Sequence, residues 1–139
     1  MKQLFGFLVV GLMGAFIGCG EDTPTGPQGQ TLEVETTRWD DGNIKVEFQY
    51  YRDGGSVVKH GFYKEYYQNG QVEVKGNLVD GKREGKVVRY YESGRVKLEK
   101  NHVNNLLNGK FVEYYENGII KDEDIYKDSE CVRKCEGDE

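Results

Sequence analysis

The sequence predicts an all-β fold, a single antiparallel meander sheet assembled from β-hairpin repeats, and three observations carry that prediction. The tyrosine pairs Tyr66-Tyr67, Tyr90-Tyr91 and Tyr114-Tyr115 stand 24 residues apart. Gly70, Gly94 and Gly118 follow in the same register, and so do Gly61, Gly85 and Gly109. Between these landmarks apolar and polar side chains alternate along short runs, as in strands with one half-buried face. An internal period of this length marks stacked supersecondary units, each burying its neighbour's apolar face.

Size and charge narrow the function classes. The chain has 139 residues, room for one small domain, and a formal charge of −5 from 24 acidic and 19 basic side chains. Such a balance lacks the basic footprint that displaces counterions from nucleic acid or holds a protein on anionic lipid.

The N-terminus reads as an address. Residues 4–17 form an uncharged run of 14, too short for a helix crossing a hydrocarbon layer about 30 Å thick. It suits the apolar part of a secretory signal. The following Gly18-Cys19 resembles the lipobox of bacterial lipoproteins, which implies a signal peptide at 1–18 and lipidation of Cys19. An ordinary secretory signal, with Cys19 lost or left free, is the alternative. Cleavage leaves 121 residues held to the membrane by acyl chains, each buried methylene contributing about 0.8 kcal/mol. By resemblance to the sorting rule of enteric bacteria, Gly20 directs the protein to the outer membrane, periplasmic or surface-exposed. Residues 19–30 hold both prolines, Pro24 and Pro27, and no large apolar side chain; they are expected to be a flexible tether.

Residues 31–127 form the repeat domain. Ile44, Val46, Phe48 and Tyr50 alternate with Lys45, Glu47 and Gln49, the clearest strand in the sequence. Gln68-Asn69-Gly70, Glu92-Ser93-Gly94 and Glu116-Asn117-Gly118 read as hairpin turns, the Asn-Gly pairs suggesting type I′. Val72, Val74, Gly76 and Leu78 share one parity beyond the first turn, and Asp80-Gly81 opens a second turn. Trp39 stands where later units have tyrosine. Gly42 to Gly70 spans 28 residues, four more than the repeat. The surplus falls near Asp53-Gly54-Gly55, as a longer loop or as a bulge with a wider turn.

Tyr-Tyr-x-Asn/Ser-Gly, the lone Gly76, Asp80-Gly81 and Gly85-Lys86 together resemble the MORN repeat variant of bacterial proteins labelled YwqK-type antitoxins. The resemblance covers roughly residues 39–127. Lys100 and Asp124 depart from it by replacing the glycine at Gly76, and Asn104-Asn105 replaces Asp80-Gly81; asparagine tolerates positive φ, so that turn can persist. The resemblance implies an elongated hairpin sheet used for protein contact or membrane association.

No constellation points to catalysis. His60 precedes a strand-opening glycine and His102 sits at the apolar parity of a strand, so neither completes a nucleophile–base–orienter set. Gly81 to Gly85 is a turn between strands, not a phosphate loop, and two histidines alone make no zinc site. No cofactor and no metal are expected. The candidate binding face is the row Tyr66, Tyr90 and Tyr114 with Trp39 at its edge, because tyrosine buries a ring while hydrating its hydroxyl. Tyr67, Tyr91 and Tyr115 should then line the opposite face. Residues 128–139 are read as an acidic tail, part of an acidic end beginning at Asp122, in which Cys131 and Cys135 are candidates for a short-range disulfide.

The expected function is a membrane-anchored, non-catalytic module that binds or scaffolds a protein partner through its sheet. The competing readings are an antitoxin or immunity protein neutralising a toxin, an envelope glycan binder, and an envelope hydrolase using His60 or His102.

Overall fold

The computed structural model describes residues 25–135. The segments expected to be signal peptide and tether, residues 1–18 and 19–30, lie outside them except for residues 25–30, and Cys19 lies outside as well. Ten strands follow in chain order: β1 (Glu33–Arg38), β2 (Ile44–Asp53), β3 (Ser56–Tyr66), β4 (Val72–Val79), β5 (Lys82–Arg83), β6 (Gly85–Tyr90), β7 (Val96–Val103), β8 (Leu106–Tyr114), β9 (Ile120–Lys127) and β10 (Glu130–Cys135). They pair antiparallel in sequence order within one sheet, with the short β5 set beside β4. The all-β single-sheet meander expected from the repeat is the observed architecture.

Two kinds of turn alternate along the chain. Gly54-Gly55, Asp80-Gly81, Asn104-Asn105 and Asp128-Ser129 each place both central residues at positive φ, as a two-residue type I′ hairpin requires. The turn at Asn104-Asn105 therefore survives its loss of glycine. The Asn-Gly turns differ from expectation. Tyr67 N–H donates to the Gln71 carbonyl and Gly70 N–H to the Tyr67 carbonyl, which leaves a three-residue loop. Only Gly70 in that loop has positive φ, at 85°, and the register slips beside it between Glu65 and Tyr66. This is a type I turn closed by a glycine bulge, not type I′. Asn69 works through its side chain instead, accepting from Gln71 N–H at 2.9 Å.

The four surplus residues neither loop out nor bulge at the turn. They lengthen β2 and β3, which run in register to Asp53 opposite Ser56 around a two-residue turn. The irregularity lies lower, between Phe48 and Tyr50. Gly61 and Gly109 fall inside β3 and β8, while Gly85 opens β6.

The units are stitched together at fixed points. Gly81, Asn105 and Ser129 donate their backbone N–H to the carbonyls of Lys59, Arg83 and Leu107, each pair one repeat from the last. On the opposite rim the Tyr67 hydroxyl donates to the Tyr90 carbonyl and the Tyr91 hydroxyl to the Tyr114 carbonyl, both at 2.7 Å. Trp39 Nε1 does the same to the Tyr66 carbonyl at 3.3 Å. Tyr67 and Tyr91 therefore act as clamps between repeats. Tyr91→Phe removes one clamp and leaves a carbonyl unpaired; a loss of about 1 kcal/mol in urea unfolding is expected.

Both ends depart from the sequence reading. Gly26 is buried against the Tyr51 ring and Thr25 bridges to Thr31, so the last residues of the expected tether lie against the sheet. The lengthened β2 provides that ring. At the other end the described part of the segment after residue 127 is not a free tail: β10 pairs with β9 from Glu130 opposite Lys127 to Cys135 opposite Glu123. Asp124 is only 4% exposed. Cys131 is a free, exposed thiol. Cys131 and Cys135 occupy one strand, four residues apart, and extended backbone separates such positions by about 13 Å. A disulfide needs its Cα atoms within about 7 Å, so the candidate bridge and a fully extended β10 do not coexist.

The sheet has no second layer, and accordingly no large side chain among the described residues is below 2% exposed. Burial concentrates on one face, around Phe48, Tyr50, Tyr63, Val74 and Val87, with Val46 and Leu78 packed against them.

Candidate binding faces

Strand register assigns each side chain to a face. Glu47, Lys64, Lys75, Val88, Glu99, Val112 and Glu123 lie opposite one another in succession across the sheet and so share a face. The other face carries Phe48 opposite Tyr63 opposite Gly76, then Val87, Lys100, Phe111 and Asp124.

Tyr66, Tyr90 and Tyr114 end β3, β6 and β8, strands two apart in the sheet, hence roughly 10 Å from one to the next. All three are half-buried. The Tyr66 hydroxyl donates to Glu47 Oε2 at 3.0 Å, and burial followed by that carboxylate raises its pKa. Lys75 Nζ sits 5.3 Å from the centre of the Tyr90 ring, which lines a hollow of about 180 Å³ with Gln71, Val72 and Gly94. The tyrosine row thus exists, already partly engaged by its own face. Trp39 meets the end of the row at Tyr66, through that residue's backbone carbonyl. Its hydrogen bond places it in the clamp series with Tyr67 and Tyr91, under Lys45 at 4.3 Å.

A second feature lies on the Phe48 face. One hollow of about 320 Å³ is lined by Val46, Phe48, Lys59, Tyr63, Leu78 and Arg83, among others. An adjoining one of about 150 Å³ is lined by Val74, Val87, Arg89, Leu98 and Lys100. Tyr63, Glu65 and Arg83 border both, so the two form one trough. Its floor is aliphatic and aromatic, and its rim is cationic. Burial, then Arg83 and Arg89, hold the Lys100 ammonium below its ordinary pKa. Sequence reading missed this trough. The available signal was periodic: Lys59 and Arg83 occupy the same repeat position, and Lys100 interrupts the glycine position of Gly76.

Neither histidine builds a catalytic set. His60 Nδ1 lies 3.1 Å from Asp80 Oδ1, and the Tyr51 hydroxyl donates to that same oxygen at 3.0 Å. These two contacts draw the Asp80 carboxyl below its usual range. The group therefore ties the long hairpin to the Asp80 turn, with its hydroxyl and carboxylate spent on each other. His102 is 3% exposed, and its Nδ1 finds no hydrogen-bond partner. Burial, then Lys100 and Arg83, lower its pKa.

The MORN repeat variant matches the sequence three times in succession, at residues 59–80, 83–104 and 107–128. Each match begins at the strand leaving a two-residue turn and ends within the next such turn. No curated protein and no solved structure matches the chain.

Proposed function

From a chain that carries three consecutive MORN repeat variants, a family generally made of non-catalytic binding modules, we propose a membrane-anchored protein that holds a partner protein on its sheet. In this reading a lipid on Cys19 fixes it to the bacterial outer membrane, and residues 19–24 span the gap to the sheet. The observation that supports binding is the trough on the Phe48 face. An uncovered sheet surface combining apolar floor and charged rim offers burial and orientation to a partner, whereas the hydrogen-bonded histidine and carboxylate groups offer no free nucleophile.

Two measurements test it. Mass spectrometry of the mature protein is expected to show an acylated N-terminus at Cys19, and Cys19→Ser to move the protein from the membrane to the soluble fraction. Saturable capture of one envelope protein by that soluble variant is expected, with no turnover of envelope polymers. An unacylated N-terminus ends the anchoring part of the reading; absence of saturable capture ends the binding part.

A further inference from the structure

The two faces of the sheet treat charge differently. On the Glu47 face lysines sit on glutamates: Lys64 with Glu47 at 3.5 Å, Lys86 with Glu99 at 2.7 Å and Lys110 with Glu123 at 2.7 Å. On the trough face Arg83, Arg89 and Lys100 converge, and Lys59 adds a fourth cation, 4.3 Å from the centre of the Phe48 ring. Among the described residues no carboxylate forms an ion pair with Arg83 or Lys100, and Arg89 reaches Glu73 only at 3.6 Å. Four cations against the single carboxylate of Glu65 leave the trough net positive over an apolar floor, in a chain of net charge −5, and they repel one another until a further anion enters.

The trough also has a length. From Val46 on β2 to Lys100 on β7 is four strand spacings, roughly 19 Å, the reach of about six residues of extended chain. We propose that the trough binds an extended acidic peptide segment of the partner, its carboxylates on Arg83, Arg89 and Lys100 and its apolar side chains on Val74, Val87 and Leu98. The proposal rests on the binding-module reading and names that module's partner chemistry. A glycan fits less well, because sugars stack on bare flat rings and the Phe48 ring already lies under Lys59. A nucleic-acid backbone would meet Glu65 at the centre of the trough. For a peptide, that same carboxylate is an acceptor for backbone N–H groups.

The test is fluorescence anisotropy of the full chain with a labelled octapeptide of alternating glutamate and leucine, at about 0.15 M salt. Its glutamine counterpart and an oligouronate of similar length serve as competing probes. Saturable binding of the glutamate peptide alone is expected. Arg83→Gln with Lys100→Gln weakens it by about tenfold or more, since each removes a charge-assisted contact. Lys86→Gln with Lys110→Gln makes the same change of net charge on the opposite face and leaves binding within about twofold. Glu65→Gln, which removes the one acid from the trough, tightens binding and needs no loss of a cation. Equal losses in the two double variants, equal binding of the glutamine peptide, or preference for the oligouronate overturns the proposal. Failure of the peptide while envelope capture persists overturns the trough assignment alone; loss of both removes the binding module as well.

Discussion

Tyr63→Ala is expected to lower the folding free energy by about 3 kcal/mol, the low end of the range for removing a buried aromatic side chain. Tyr63 is 9% exposed, a large ring at the boundary of the buried set in a thin sheet. It owes that cover to Gly76 directly opposite on β4, where a Cβ would come within 2.7 Å of the ring. The ring thus lies across a strand that presents no side chain beneath it, and it joins Phe48 and Tyr50 on one side to Val74 and Val87 on the other. Truncation separates those two groups and wets both. The low end of the range applies because a single-layer sheet lets water fill the space, so no dry cavity remains. Tyr63→Phe keeps the ring and forfeits only a hydroxyl contact with Arg83, a change of about 1 kcal/mol or less. Equilibrium urea unfolding of the three proteins measures both effects. A cost below about 1 kcal/mol for Tyr63→Ala would show that the ring is an ornament of the trough and not the join between β2 and β6.

The same two residues show what the sequence could convey. The 24-residue spacing made strands, turns and pairing legible, because backbone twist and turn chemistry must recur in every unit. Gly76 was visible as a landmark, but its use was not: that an aromatic ring lies on it depends on which strand comes opposite. Asn69-Gly70 was visible as a turn, yet the dipeptide also fits a three-residue loop whose glycine alone needs positive φ. Which charges share a face was hidden for a related reason. Each three-residue turn brings a register slip, so parity counted along one strand does not carry to the next. Trp39 therefore shows its place beside Tyr66 in the sequence but not its use as a clamp, and the convergence of Lys59, Arg83 and Lys100 on one face has no local signature. At the C-terminus composition misled beyond residue 127: residues 128–135 are polar enough to read as a tail, but β9 leaves a ladder of backbone groups that β10 fills.

His102→Leu is expected to stabilise the fold by about 1–2 kcal/mol at neutral pH and to flatten its response to acid. Position 102 lies one 24-residue period after Leu78, so leucine is the side chain the preceding repeat already uses there. The imidazole is 3% exposed with an unpartnered Nδ1, and a buried polar atom without a hydrogen bond costs about 1–3 kcal/mol. The pH dependence follows from the direction of its shift. Burial, Lys100 and Arg83 all disfavour the protonated ring, so its folded pKa lies below the ordinary value of about 6.5. Above that value both folded and unfolded chains hold a neutral ring, and the fold keeps its full stability. As pH falls through it, the unfolded chain binds a proton that the folded chain refuses, and stability drops. The variant lacks that component between about pH 6.5 and pH 5, above the range where carboxylates begin to titrate. Thermal unfolding of both proteins across this window reads the difference directly. Parallel curves, or a variant less stable than the parent at neutral pH, would mean that the buried ring has a partner that earns its place at a position where the neighbouring repeat holds leucine.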